Sequence, residues 1–109
     1  MYTRSKNDNR VVTTAYANPS TATDTAVVAA ITGKAIRVHA VAVVAGGANN
    51  VYFKSATTAI CGTMALAANG GFVLPYNEAG WFVTEASAAL NFTTSAAVAT
   101  GVTVIYSEE

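Results

Sequence analysis

The chain is 109 residues long, carries no net charge, and only 11% of its residues are Asp, Glu, Lys or Arg, where an ordinary soluble domain has about 25%. That length holds one domain and excludes a second, and a pI near 6.5 lacks the basic footprint of a nucleic-acid binder. A surface with few charges and no net field repels its neighbours weakly, so the chain is expected to be one part of a larger assembly.

Residues 1–10 are polar, show no apolar periodicity, and hold Arg4, Lys6 and Arg10, half of the basic residues in the chain. They are expected to form an extended N-terminal arm, solvated or laid along a partner. The predicted organisation is therefore an arm over 1–10 and a β domain over 11–109. No apolar run of signal-peptide length follows Met1, so export by the usual route is not expected.

Beyond the arm the pattern is β throughout. Val and Thr abound, Leu, Glu and Lys are scarce, and Gly, Asn or Pro interrupts the chain at short intervals. Strands are predicted at 11–17, 25–31, 35–44, 50–55, 59–67, 71–74, 81–84, 90–94 and 102–107, a number that suits an antiparallel β-sandwich. Turns fall at Thr32-Gly33-Lys34, read as a hairpin, and at Gly46-Gly47, Asn69-Gly70-Gly71, Pro75-Tyr76-Asn77 and Thr100-Gly101, where Gly or Asn can take positive φ. Residues 84–89 would tolerate about one turn of helix.

Period-2 alternation assigns the faces. In 90–94, Leu90, Phe92 and Thr94 oppose Asn91 and Thr93, the pattern of a strand with one wet face. In 102–107 both faces are largely apolar: Val102, Val104 and Tyr106 on one, Thr103 and Ile105 on the other. The strand at 35–44 carries Ile36, Val38, Ala40, Ala42 and Val44 on one face. Its other face begins with Arg37 and His39 and turns apolar at Val41 and Val43. Half of that outer face should be covered, by a loop of the same chain or by a neighbouring subunit, so Arg37, His39, Val41 and Val43 are candidate interface residues.

The core is expected to be thin. Much of the 52% hydrophobic fraction is alanine, and at about 25 cal/mol per Å² alanine contributes little. Cys61 is the only cysteine; it can form no intrachain disulfide or paired-cysteine metal site and reads as a small buried hydrophobe. The longest apolar stretch, at 40–48, contains Gly46-Gly47 and is far short of the roughly 18 to 20 residues of a membrane helix.

No catalytic, cofactor or metal constellation can be assembled. His39 is the sole histidine, with Arg37 beside it on the same strand and no acidic neighbour in sequence, so a strand-face histidine is the simpler reading. Glu78 and Glu85 flank Gly80-Trp81-Phe82, but nothing sets them at the separation that glycoside hydrolysis needs. Thr32-Gly33-Lys34-Ala35 lacks the first glycine and the hydroxyl residue of a phosphate-binding loop. Asn91-Phe92-Thr93 matches a glycosylation acceptor by chance if the chain is not exported. The segment 72–82 is richest in aromatics. Phe72 and Trp81 are expected to plug one end of the sandwich, while Tyr76, at the loop tip, is expected to touch a partner.

The stretch Ala67-Ala68-Asn69-Gly70-Gly71-Phe72-Val73-Leu74-Pro75-Tyr76, with Gly80-Trp81-Phe82 and Ala89-Leu90-Asn91 after it, resembles small virion proteins of tailed bacteriophages. The similarity runs from Val51-Tyr52-Phe53-Lys54-Ser55 to Val104-Ile105-Tyr106, about the last two-thirds of the chain, and does not include the arm. Among characterised groups the chain is similar to capsid cement or decoration proteins. That resemblance implies an all-β, single-domain, jelly-roll-like antiparallel sandwich with an N-terminal arm, non-enzymatic and without cofactor. It also implies a homotrimer on the capsid surface of the virion, assembled in the host cytoplasm. Its partners would be itself and the major capsid protein, with Arg4, Lys6 and Arg10 of the arm gripping the shell. A receptor- or glycan-binding module of a phage tail or head fibre is the alternative, suggested by Tyr76, Trp81 and the Asn-rich loops.

Overall fold

A computed structural model describes residues 11–109. The predicted arm, with Arg4, Lys6 and Arg10, lies outside the described residues. The described residues form ten strands: β1 (Thr13–Ala17), β2 (Asp24–Val28), β3 (Ile36–Ala45), β4 (Asn49–Ser55), β5 (Thr58–Ala59), β6 (Met64–Leu66), β7 (Gly71–Leu74), β8 (Phe82–Val83), β9 (Leu90–Thr94) and β10 (Thr100–Glu108). Among the described residues there is no helix. The strands build two five-stranded antiparallel sheets. The first has the order β1-β10-β3-β7, with β8 also pairing β3; the second has β2-β9-β4-β5, with β6 also pairing β4.

The two sheets pack face to face as a β-sandwich. The first contributes Ile36, Val38, Val41, Val43, Val102 and Val104 to the core, and the second Val28, Val51, Phe53, Leu90 and Phe92. Phe53 joins the layers: its ring lies 5.1 Å from that of Phe92 in its own sheet and 5.4 Å from that of Phe82 in the opposite one. Most other core side chains are valines, so these rings fill much of the space between the sheets.

Several predicted elements change on folding. The strand predicted at 59–67 is two short strands, β5 and β6, because residues 60–63 interrupt the regular pairing with β4. There Ile60 N–H donates to the Phe53 carbonyl at 3.0 Å, and Phe53 N–H donates to Cys61 Sγ at 3.2 Å. β7 and β8 share the edge of β3 in the same way, with residues 75–81 looping out between them. The turn at Thr32-Gly33-Lys34 is not a hairpin within one sheet. It carries the chain from the second sheet to the first, with only an Ile31–Lys34 bridge at its base. Thr100-Gly101 begins β10 instead of forming a turn.

Residues 84–89 form a turn and not a helix. Thr84 N–H donates to Ile36 O in the first sheet, Glu85 N–H donates to Ser55 Oγ in the second, and Ser87 sits at φ 66°. Tethers to both sheets and a left-handed residue leave no room for a helical turn.

The edge at β7 depends on Gly71. A Cβ there would collide with the carbonyl oxygen of Val43 on β3. Gly71→Ala is expected to peel β7 from β3 at a cost of about 1–3 kcal/mol. Urea denaturation together with amide exchange at residues 71–74 measures this.

Candidate functional site

The two outer faces of the sandwich differ in chemistry. On the second sheet the outward side chains are polar and bound to one another. Lys54 Nζ donates to Asp24 Oδ2 at 3.0 Å, the Thr93 hydroxyl donates to Asp24 Oδ1 at 2.8 Å, and Asn91 Nδ2 donates to the Ala56 carbonyl at 2.7 Å. The hydrogen bonds from Lys54 and Thr93 hold the Asp24 carboxyl below its usual range. This is an ordinary wet face.

The outer face of the first sheet is apolar. Register places Tyr16, Thr103, Ala42 and Val73 in one row across β1, β10, β3 and β7, and Thr14, Ile105 and Ala40 in the next. Tyr16 and Val73 are each 71% exposed and Val44 is 61% exposed. No Asp, Glu, Lys or Arg stands in these rows. Between Ala40, Ala42, Thr103 and Ile105 on the floor and Val73 and Tyr76 on the wall lies a hollow of about 330 Å³.

A β-bulge decides which residues of β3 reach this face. Ile105 pairs with Ala40 and Tyr106 with Val38, so His39 is an extra residue on β3 and the alternation changes phase there. Before the bulge Ile36 and Val38 point inward; after it Val41, Val43 and Ala45 do. The assignment of Val41 and Val43 to an exposed interface is therefore corrected: they are 2% and 1% exposed and belong to the core. Ala40, Ala42 and Val44, expected inside, lie on the outer face.

His39 is also not an interface residue of the single chain, because it is fully buried. Its cover is the loop at 75–81. The imidazole stacks on Tyr76 at 5.3 Å between ring centroids, with 18° between planes. Its Nδ1 lies 2.9 Å from the Asn77 carbonyl, and its Nε2 lies 2.8 Å from Ser107 Oγ. A carbonyl can only accept, so Nδ1 carries the hydrogen, and in the neutral ring Nε2 accepts from the Ser107 hydroxyl. Backbone bonds complete the latch: Asn77 N–H donates to His39 O at 2.9 Å and Trp81 N–H to Val38 O at 2.7 Å.

Arg37 fastens the other end of the loop. Its guanidinium forks onto the Glu109 carboxylate and also donates to the Ala79 carbonyl, which ties β3, the C-terminal residue and the loop together. The hydrogen bond with Glu109 raises the guanidinium pKa above its usual value. Gly80 permits the contact: it sits at φ 89°, and a Cβ there would stand 2.6 Å from Arg37 Cγ.

Of the predicted interface residues, Tyr76 alone combines a large apolar ring with half exposure, as the wall of the hollow. Trp81, expected in the core, is 40% exposed, and its indole N–H donates to the Pro75 carbonyl at 2.7 Å. Phe82 takes the core position instead. Sequence reasoning missed Tyr16, whose neighbours Ala15 and Ala17 pack on the core, because alternation is usually read with the larger side chain inside.

Other candidate chemistry remains scattered. Glu78 stands in the 75–81 loop, whereas Glu85 lines a separate opening of about 300 Å³ with Ser55, Thr58 and Thr84. Among the described residues no three His, Cys, Asp or Glu side chains gather to hold a metal ion. Cys61 is half-buried, and burial pushes its thiol up, away from the reactive thiolate. No protein-family model, no curated protein and no solved structure matches this chain.

Proposed function

We propose that this chain is a non-enzymatic structural protein of a virion, a capsid cement or decoration protein that stabilises a phage head as a homotrimer bound to the major capsid protein. One observation carries the proposal: on the outer face of the first sheet the rows from Tyr16 to Val73 and from Thr14 to Ala40 carry no charge, whereas the outer face of the second sheet is polar and hydrogen-bonded. An exposed apolar face backed by a wet one is the mark of a subunit seated on something.

The strand order supports a jelly roll. Pairing β1 with β10, β2 with β9, β3 with β7 and β8, and β4 with β5 and β6 describes one long antiparallel ribbon. Its successive strand pairs fall alternately in the two sheets, as when a hairpin is rolled up. Jelly rolls serve both capsid and lectin domains, so the fold admits either role and the surface has to decide.

For a glycan-binding fibre module the aromatic loop would have to offer free ring faces and polar handles. In this chain one face of Tyr76 lies on His39, and the Trp81 N–H is used by Pro75. The aromatics are employed in building the loop, which favours the cement role.

The test is binding of the purified protein to phage heads lacking it, alongside a glycan array. A cement protein cosediments with heads to saturation and leaves the array blank; glycan binding without head binding would overturn the proposal. Removal of residues 1–9 is expected to weaken decoration and flatten its salt dependence. Unchanged affinity would show that the arm is not the clamp.

A further inference from the structure

The turn between β6 and β7 places a chemically labile pair at the surface. In residues 67–70, Gly70 N–H donates to the Ala67 carbonyl at 2.8 Å and Asn69 sits at φ 61°. A left-handed position of this kind favours Asn or Gly. The next position has no room for a side chain, because a Cβ on Gly70 would stand 2.9 Å from the Ala67 carbonyl oxygen. The turn thus suits Asn-Gly, the pair in which a backbone amide can approach the preceding carboxamide unhindered. Asn69 is exposed, and no other asparagine in the chain precedes glycine.

We infer that Asn69-Gly70 is a site of spontaneous covalent modification in the folded protein, deamidation through a cyclic imide, and that its isoaspartyl product unfastens β7. The Gly70 nitrogen attacks Asn69 Cγ and gives up its proton; a C–N bond forms and the side-chain nitrogen leaves as ammonia. Water then opens the imide. Opening at the side-chain carbonyl gives aspartate at position 69. Opening at the main-chain carbonyl gives isoaspartate, in which the chain runs through Cβ and Cγ and is one atom longer. Either product replaces a neutral amide by a carboxylate.

The fold restrains the reaction by one backbone bond. Gly70 N–H has to leave the Ala67 carbonyl before its nitrogen can turn toward Asn69 Cγ, and breaking one exposed hydrogen bond slows the step by roughly 10-fold. Other asparagines are held more firmly. Asn49 Oδ1 accepts from Ala96 N–H at 3.0 Å, Asn77 Oδ1 accepts from Ala79 N–H at 3.0 Å, and Asn91 Nδ2 donates to the Ala56 carbonyl at 2.7 Å.

The same turn anchors β7. Ala45 N–H donates to the Gly70 carbonyl at 2.8 Å, and the next residue, Gly71, opens β7 opposite Val44. An extra backbone atom just before Gly70 displaces both of its hydrogen bonds. β7 is four residues long and, among the described residues, pairs only with β3, so it has little else to hold it there.

Incubation of the whole protein in mildly alkaline buffer, followed by peptide mass spectrometry, tests the site. Amide-to-acid conversion is expected at position 69 before any other asparagine, roughly 10-fold more slowly than in guanidinium chloride, with isoaspartate separated from aspartate by chromatography. Conversion at 69 only in denaturant, or earlier conversion at another asparagine, would overturn the inference. Amide exchange then tests the effect on β7. Aged protein carrying isoaspartate should exchange residues 71–74 faster than fresh protein. Asn69→Asp adds the same charge, keeps the backbone length and tolerates the left-handed position, so its exchange should match that of fresh protein. Asn69→Gly keeps the turn without the carboxamide and should pass through the same incubation with residues 71–74 unchanged. Equal exchange in aged and fresh protein, or loosening of β7 in either variant, would overturn the unfastening of β7 by isoaspartate.

Discussion

Phe53→Ala is expected to lower the stability of the domain by about 3–5 kcal/mol, a large part of the roughly 5–15 kcal/mol that holds a domain together. Phe53 and Phe92 are the largest fully buried side chains, and the Phe53 ring touches Phe92 and, across the sandwich, Phe82. Its surroundings cannot collapse to fill the gap. The neighbouring core positions are mainly valines on hydrogen-bonded strands, stiff at χ1 and too short to reach across the layers. The loss should therefore lie near the upper end of the range, where a cavity remains unfilled. Urea unfolding followed by circular dichroism measures it; a loss below about 1 kcal/mol would mean that the two sheets are not held together through this ring.

His39→Leu is expected to cost about 2–3 kcal/mol, mainly by stranding the Ser107 hydroxyl and the Asn77 carbonyl, each of which loses its imidazole partner. Volume is nearly conserved, so packing contributes less than the broken hydrogen bonds. The effect is local. Residues 75–81 lose the stack under Tyr76 and one of their fastenings to β3, while Arg37 still holds the far end at Ala79. Trp81, the only tryptophan, sits in this loop and reports on it directly. Its fluorescence should change at lower urea than the circular dichroism of the sheets, the sign of a segment opening before the whole. Coincident transitions at the original midpoint would show that the histidine does not hold the loop.

Much of the architecture was legible in the chain. The alternation of Leu90, Phe92 and Thr94 against Asn91 and Thr93 places the first three in the core and the others outside, as the structure has them. Val102 and Val104 are buried, and Ile105 lines the outer face. These strands are regular, so a period of two carries over from residue to residue. The long β3 strand defeats the same rule because its period is broken once. The break at His39 arises from pairing with Tyr106 and Ile105, more than sixty residues away, and nothing in the local residues Val38-His39-Ala40 announces it. One extra residue exchanges Val41 and Val43 for Ala40, Ala42 and Val44 on the exposed face.

The aromatic loop was found by composition but not resolved. Trp81 and Phe82 are adjacent, and only the pairing of Phe82 with Val38 decides that the phenylalanine faces the core while the indole turns back on Pro75. Short strands were legible as apolar runs and not as separate pieces. The run at 59–67 divides because residues 60–63 return to bind the backbone of Phe53, a contact that exists only once β4 is in place. In both cases the deciding interaction is long-range, which local pattern does not carry.

The charge poverty noted at the outset resolves into a particular surface. Asp24 and Lys54 pair on the second sheet and Arg37 and Glu109 at the end of the first, which leaves the rows from Tyr16 to Val73 uncharged. The most direct measurement is the mass of the native protein at sub-micromolar concentration, by native mass spectrometry. A trimer that persists on dilution is the predicted result. A compact, soluble monomer with the apolar face of its first sheet open to water would contradict the account.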